Sequence, residues 1–84
     1  MPVLSSFHGI TMKMYFQRSE HNPPHVHAVY GDSEAEFEIQ TGYILAGFLP
    51  RKAVQLVQKW IKLHREELLR IWKAQEFTSL PPLE

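Results

Sequence analysis

An α+β domain is the fold this sequence predicts: an antiparallel meander sheet of four or five strands, with one face covered by a long C-terminal helix. Three observations carry that expectation. Apolar and polar residues alternate with a period of two in short runs between residues 3 and 48. Turn-forming pairs, His8-Gly9, Gly31-Asp32 and Thr41-Gly42, separate the runs. From Leu49-Pro50 onward the apolar spacing becomes that of a helix, which places strands at about 3–48, a helix at about 50–76 and an irregular tail at 77–84. With 84 residues and 9.8 kDa this is one domain, 1–84. A chain of that size buries roughly 60 to 65% of the surface it exposes unfolded, enough for a single core.

Taken in order, a short strand at about residues 3–7 points Val3 and Phe7 inward and ends in the tight turn Phe7-His8-Gly9-Ile10. Ile10, Met12, Met14 and Phe16 then alternate with Thr11, Lys13, Tyr15 and Gln17, one buried face against one polar face. Gln17 to Asn22 is polar and leads into Pro23-Pro24, where two backbone donors are missing and the chain is held extended. Val26, Ala28 and Tyr30 alternate with His25, His27 and Val29; after Gly31-Asp32, Ala35, Phe37 and Ile39 alternate with Glu34, Glu36, Glu38 and Gln40. Together these two runs form a hairpin. A slip of one residue would turn one strand's apolar set to the wrong face, so only even offsets survive. A two-residue loop sets Ala28 opposite Ala35, Val26 opposite Phe37, His27 opposite Glu36 and His25 opposite Glu38; a four-residue loop keeps the faces and sets His27 opposite Glu38. If Thr41-Gly42 is the whole next loop, Ile44, Ala46 and Phe48 face Ile39, Phe37 and Ala35 from inside; a glycine bulge at Gly42 changes that pairing.

Pro50 suits the first turn of a helix, where a missing donor costs nothing. Ala53, Val57, Trp60, Ile61, His64, Leu68, Ile71 and Trp72 share one arc, and Lys52, Lys59, Lys62, Glu66, Arg70 and Lys73 another. A helix of that span is about 40 Å long at 1.5 Å per residue, whereas four strands are only about 20 Å wide. Either the helix breaks near Leu63-His64, or about half of it overhangs and offers Leu68, Ile71 and Trp72 to a second molecule. The smooth phase through His64, without Gly or Pro, favours a long or merely kinked helix.

Composition narrows the function classes. Nine basic and nine acidic residues cancel, so no net positive charge supports binding to nucleic acid or membrane. The halves differ in sign: residues 1–50 carry −3 and residues 51–84 carry +3. Without cysteine there is no disulfide framework, thiolate nucleophile or thiolate metal site, which fits a reducing compartment. No signal peptide and no apolar run of spanning length is apparent, and the expected location is cytoplasmic.

The concentration of chemistry is His21-Asn22-Pro23-Pro24-His25-Val26-His27, three of the five histidines in seven positions. His25 and His27 project from one strand face about 6.5 to 7 Å apart, within reach of one metal ion. Glu36 or Glu38 lies opposite, so His25, His27 and a carboxylate, Glu38 in the reading we favour, could hold a divalent ion such as zinc with a position open for water. The plain alternative is a solvated face of cross-strand His/Glu pairs. A metal-free site is also open, because Tyr15 and Lys13 share that face and Arg18 lies in the loop: a general acid, a general base and cations for a phosphate, an inventory suited to RNA cleavage. His21 and Asn22 are separated from His25 by extended proline-rich chain and, with Pro23 and Pro24, shape the loop. His8 is expected in a turn and His64 in the core.

The opening Met-Pro, Met14-Tyr15-Phe16, the His21 to His27 run, the Leu49-Pro50 helix start and His64-Arg65-Glu66-Glu67-Leu68 together resemble a small bacterial and phage domain of unknown function, catalogued as four-one-six-zero. The resemblance spans nearly the whole chain. It implies a compact single-domain protein, often encoded beside another small protein in the manner of toxin–antitoxin pairs, and it transfers no catalytic residue. The expectation is therefore a small protein of toxin–antitoxin type that works through a protein partner, with the His25/His27 face as its active or contact surface. Two alternatives stand beside it: a metal-binding or ribonuclease-like enzyme using the same histidines, with RNA as substrate in the latter case, and a homo-oligomeric assembly module using Trp72, Leu68 and Ile71.

Overall fold

Each alternating run becomes a strand, and the strands pair in chain order. The computed structural model describes residues 3–15 and 23–84. In it β1 (Val3–Phe7), β2 (Ile10–Lys13), β3 (His25–Tyr30), β4 (Ser33–Glu38) and β5 (Ile44–Gly47) form one antiparallel sheet, ordered β1-β2-β3-β4-β5, before a helix, α1 (Arg51–Ala74). The predicted α+β meander is the observed fold, with five strands. Among the described residues no helix is long and apolar enough to cross a membrane.

The β1–β2 turn holds His8 and Gly9 at φ of 50° and 79°, the positive angles that match a two-residue hairpin turn to the sheet's twist. Between β3 and β4 the pairs are His25↔Glu38, Val26↔Phe37, His27↔Glu36 and Ala28↔Ala35, the register that a two-residue Gly31-Asp32 loop dictates. Two details of the sheet depart from the alternation. In β1 the register shifts between Val3 and Ser5, so Leu4 is buried while Val3 is 49% exposed. In β5, Ile44 pairs with Phe37, Ala46 with Glu36 and Gly47 with Ala35, with a shift between Glu36 and Phe37.

The expected inward set Ile44, Ala46 and Phe48 is therefore exposed, Phe48 by 67%. The cause is the loop, which is longer than Thr41-Gly42. Gly42 donates its N–H to the Glu38 carbonyl at 2.7 Å with φ +78°, Glu38 donates to the Tyr43 carbonyl at 2.8 Å, and the strand restarts at Ile44. Gly47 closes it at φ +83°, where the backbone passes so near β4 that an added Cβ would sit 2.3 Å from the Glu34 carbonyl oxygen.

The inner sheet face contributes Leu4, Ile10, Met12, Val26, Ala28, Ala35 and Phe37, and α1 covers it with Ala53, Val57, Trp60, Ile61, Leu68 and Ile71. Each large side chain so enclosed is worth roughly 1.5–3 kcal/mol relative to leaving it in water. A straight helix of 24 residues would be about 36 Å long, more than the longest principal extent of the molecule, 30 Å. Instead α1 kinks at His64, whose φ and ψ are −114° and 19°. The expected long, kinked helix is thus the observed one, and the alternative of an overhanging half is absent. Leu68 is fully buried and Ile71 only 6% exposed, so both belong to the chain's own core and Trp72 is half-buried, contrary to the interface expected of these three.

The tail is irregular but docked: Leu80 donates its N–H to the Leu4 carbonyl on the β1 edge at 2.8 Å, and the Trp60 indole donates to the Pro81 carbonyl at 2.9 Å. These contacts place the tail over one sheet edge.

Gly47 is the position where this backbone tolerates no substitution. Gly47→Ala incurs about 1–2 kcal/mol for a left-handed alanine and about 1–3 kcal/mol for the overpacking against Glu34. The expected result in urea denaturation is a lower midpoint with an unchanged slope; an unshifted midpoint would show that β4 and β5 can part without loss.

Candidate metal centre

The outer face of β3 and β4 collects the histidines and carboxylates that alternation excludes from the core. His25 opens β3, and its surroundings are built by the two prolines before it. The Pro24 carbonyl accepts the Ile39 N–H at 3.0 Å, tying the proline segment to the end of β4, and the Pro23 carbonyl lies 2.9 Å from His25 Nδ1. A carbonyl only accepts, so Nδ1 carries the hydrogen and the neutral ring's lone pair sits on Nε2. That nitrogen faces Glu36 Oε1 at 3.4 Å. The His25 ring also lies against Trp72, with centroids 5.1 Å apart, and its side chain is 5% exposed.

His27 follows on the same face, its ring 5.4 Å from that of His25. Its Nδ1 is 3.1 Å from Glu34 Oε2, and since a carboxylate accepts, Nε2 is again the free nitrogen. Tyr15, just past the end of β2, meets His27 edge-on at 4.4 Å, and Lys13 is the cross-strand partner of His27. Both histidines thus reach diagonally, His25 to Glu36 and His27 to Glu34, although their directly paired residues are Glu38 and Glu36. Sheet twist brings such diagonal neighbours within reach of long side chains.

One ligand atom from each of His25, His27 and Glu36 can be chosen so that all three lie within 4.8 Å of one another. Ligand atoms at 2.0–2.1 Å from a tetrahedral zinc lie roughly 3.3 Å apart, and the His25 Nε2 to Glu36 Oε1 spacing is already 3.4 Å. The remaining separations are at most about 1.5 Å longer than that edge length. Each histidine has its other nitrogen bound to a backbone carbonyl or carboxylate, the arrangement that orients metal-ligating imidazoles.

The expected carboxylate, Glu38, is not the one in the cluster. Thr41 donates its hydroxyl to Glu38 Oε1 at 2.8 Å, which holds that side chain at the β4–β5 turn. Alternation alone named Glu36 and Glu38 equally; the diagonal rule applied to His25 would have singled out Glu36. Glu34, which orients His27, was readable by the same rule. Trp72 against His25 was not, because it depends on where α1 kinks. His21 and Asn22, expected to shape the loop, lie outside the described residues. His64, read as a core histidine, lies tilted against Trp60 with ring centroids 5.2 Å apart and pairs with Glu67 at 3.0 Å. Beside the cluster an open groove of about 240 Å³ is lined by His27, Glu34, Glu36, Ala46 and Gly47 among others.

The model of one protein family, described as a domain of unknown function (DUF4160), matches residues 9–73. No curated protein and no solved structure matches the chain.

The two histidines differ in structural weight. His25→Ala removes a buried ring, frees the Pro23 carbonyl and opens a gap beside Trp72, with an expected loss of about 1–3 kcal/mol. His27→Ala, on the wetter side, is expected to lower stability by less than His25→Ala. Thermal or urea unfolding of the two variants checks the order, and equal losses would contradict the burial described for His25.

Proposed function

The chain belongs to the DUF4160 family, and we propose for it a divalent transition-metal centre on the outer sheet face, with His25, His27 and Glu36 as ligands. One observation carries this reading: two imidazoles whose Nδ1 atoms are already engaged, and a carboxylate oxygen, converge within 4.8 Å. Two nitrogens and one oxygen are the donor set of many hydrolytic zinc sites, where a three-ligand protein shell leaves room for a water that the bound metal acidifies. Glu34 holds the His27 ring, and Tyr15 packs on it.

The groove beside the centre favours a macromolecule over an enclosed small molecule. At about 240 Å³ and open to solvent, it falls below the size of pockets that engulf a small ligand. We therefore keep, as the second reading, a cytoplasmic protein of toxin–antitoxin type that meets a protein partner or RNA at this face. Its test is purification from the native host: a co-purifying partner whose retention is lost in Glu34→Lys, a folded variant of the groove wall, supports it, and retention unchanged by that variant counts against it.

Metal binding is tested on untagged protein. Native mass spectrometry and calorimetric titration with zinc, and the visible spectrum with cobalt, should give one ion per chain. The double variant His25→Ala/His27→Ala should bind none, Glu36→Gln should bind at least tenfold more weakly, and Glu34→Gln should lose about 10–100-fold through the unsupported His27. Glu38→Gln should bind as the parent does. Because nitrogen ligands must be unprotonated, affinity should fall on acidification. Absence of binding, or equal losses from Glu36→Gln and Glu38→Gln, would overturn the assignment.

A further inference from the structure

Nine bases and nine acids cancel over the chain but not over its surface. The β4 carboxylates Glu34, Glu36 and Glu38 lie on the outer sheet face, and α1 packs on the inner one. Arg51, Lys52, Lys59, Lys62, Arg70 and Lys73 are all exposed on α1. At about 100° per residue they fall within an arc of roughly 100°, and the one acid in that arc is Glu66. The three ion pairs among the described residues all belong to histidines, so no carboxylate neutralises these six cations. The acidic and basic faces stand on opposite sides of a domain whose smallest principal extent is 23 Å. The Debye length at physiological salt is about 8 Å, so an approaching partner meets either face with little influence from the other.

We propose that the solvent face of α1 binds the phosphate backbone of double-stranded nucleic acid, without sequence preference. Charge complementarity selects a polyanion, and the composition of the face selects which one. A helix that lies in a membrane surface buries an apolar face there, whereas the apolar arc of α1 is already enclosed in the chain's own core. Protein interfaces are depleted in lysine and depend on aromatic anchors. Four of the six cations are lysines, and no aromatic residue lies in the arc. The same lack of aromatics disfavours a single strand, whose bases need platforms on which to stack. A duplex keeps its bases inside and presents one negative charge per roughly 1.7 Å of axis, which lysines meet as point charges. At about 1.5 Å per residue the stripe runs for roughly 30 Å, the length of about nine base-pair steps. The inference rests on α1 and is independent of the metal centre.

Fluorescence anisotropy of a labelled duplex of about two helical turns, titrated with the intact chain at salt between about 50 and 200 mM, tests it. Log affinity should fall linearly with log salt with a slope of about −4, the value for four or five neutralised phosphates. The double variants Lys59→Gln/Lys62→Gln and Arg70→Gln/Lys73→Gln should each weaken binding and flatten the slope by about two units, with unchanged helix content by circular dichroism. Glu66→Gln should bind more tightly than the parent, and a chelator should change nothing. Duplexes of different sequence should bind alike. Should one double variant fail to fold, the other is read in its place. No binding at the lowest salt, or an unchanged slope in a folded double variant, would overturn the proposal. So would tighter binding to a single strand, to polyglutamate or to phosphatidylserine vesicles than to the duplex.

Discussion

The register between β3 and β4 is the constraint on which both the fold and the candidate site depend. Val26 opposite Phe37 and Ala28 opposite Ala35 fill the inner face, and that same offset leaves His25, His27, Glu34 and Glu36 together outside. A slip of one residue would turn one strand over, driving either the two histidines of β3 or the three glutamates of β4 into the core and that strand's apolar pair into water. The penalty for that exchange is far larger than any gain from pairing two histidines with two glutamates at a surface. The cluster is therefore assembled by the hydrophobic pattern of the opposite face, and its members need contribute nothing to stability in order to be held together.

A second dependence runs through His64. The apolar arc of α1 keeps phase across it, yet a straight helix could not keep both ends against so small a sheet. The departure of His64 from helical angles lets Val57 and Trp60 before it, and Leu68 and Ile71 after it, all reach the core. His64 is itself supported, by Glu67 through a hydrogen bond and by Trp60 through ring contact. The same bend sets Trp72 against His25, so the burial of a β3 histidine is a consequence of the helix's shape. Arg65, one residue on, donates from Nε to the Ile39 carbonyl at 3.0 Å and Gln58 donates to the Gly42 carbonyl at 2.8 Å, which fasten α1 to the loop between β4 and β5.

What could be read in the residues follows from which interactions are local. The meander, the β3–β4 register, the placement of both histidines on the outer face and the helix boundaries to within two residues all come from periodicity and turn chemistry, which act over a few positions. The misassignments share a different origin. Val3 for Leu4 fails because one bulged residue inverts the face beyond it, and bulges leave little trace in composition; the inward reading of Ile44, Ala46 and Phe48 fails because β5 is exposed on both faces. Glu36 rather than Glu38 joins the histidines because it faces His27 directly and His25 diagonally, whereas Thr41 holds Glu38 at the turn. Leu68, Ile71 and Trp72 belong to an interface only in the overhanging alternative; the kink falls near Leu63-His64, where a break was the other alternative, and without glycine or proline there its sharpness is not legible in the residues.

The chemistry of the site follows from an electrostatic mismatch. Once Pro23 fixes the hydrogen on Nδ1 of His25, the lone pair on Nε2 and the Glu36 carboxylate face each other at 3.4 Å, two acceptors with nothing to share. Such a pair is completed by a cation, and the available cations are a proton on Nε2 or a metal ion. The two occupy the same lone pair and exclude each other. A proton satisfies only His25 and Glu36, whereas a metal ion can also engage Nε2 of His27, which Glu34 has left free by taking Nδ1. The surroundings thus supply one more nitrogen than a proton can use, and that surplus donor is the ground on which the metal centre is proposed.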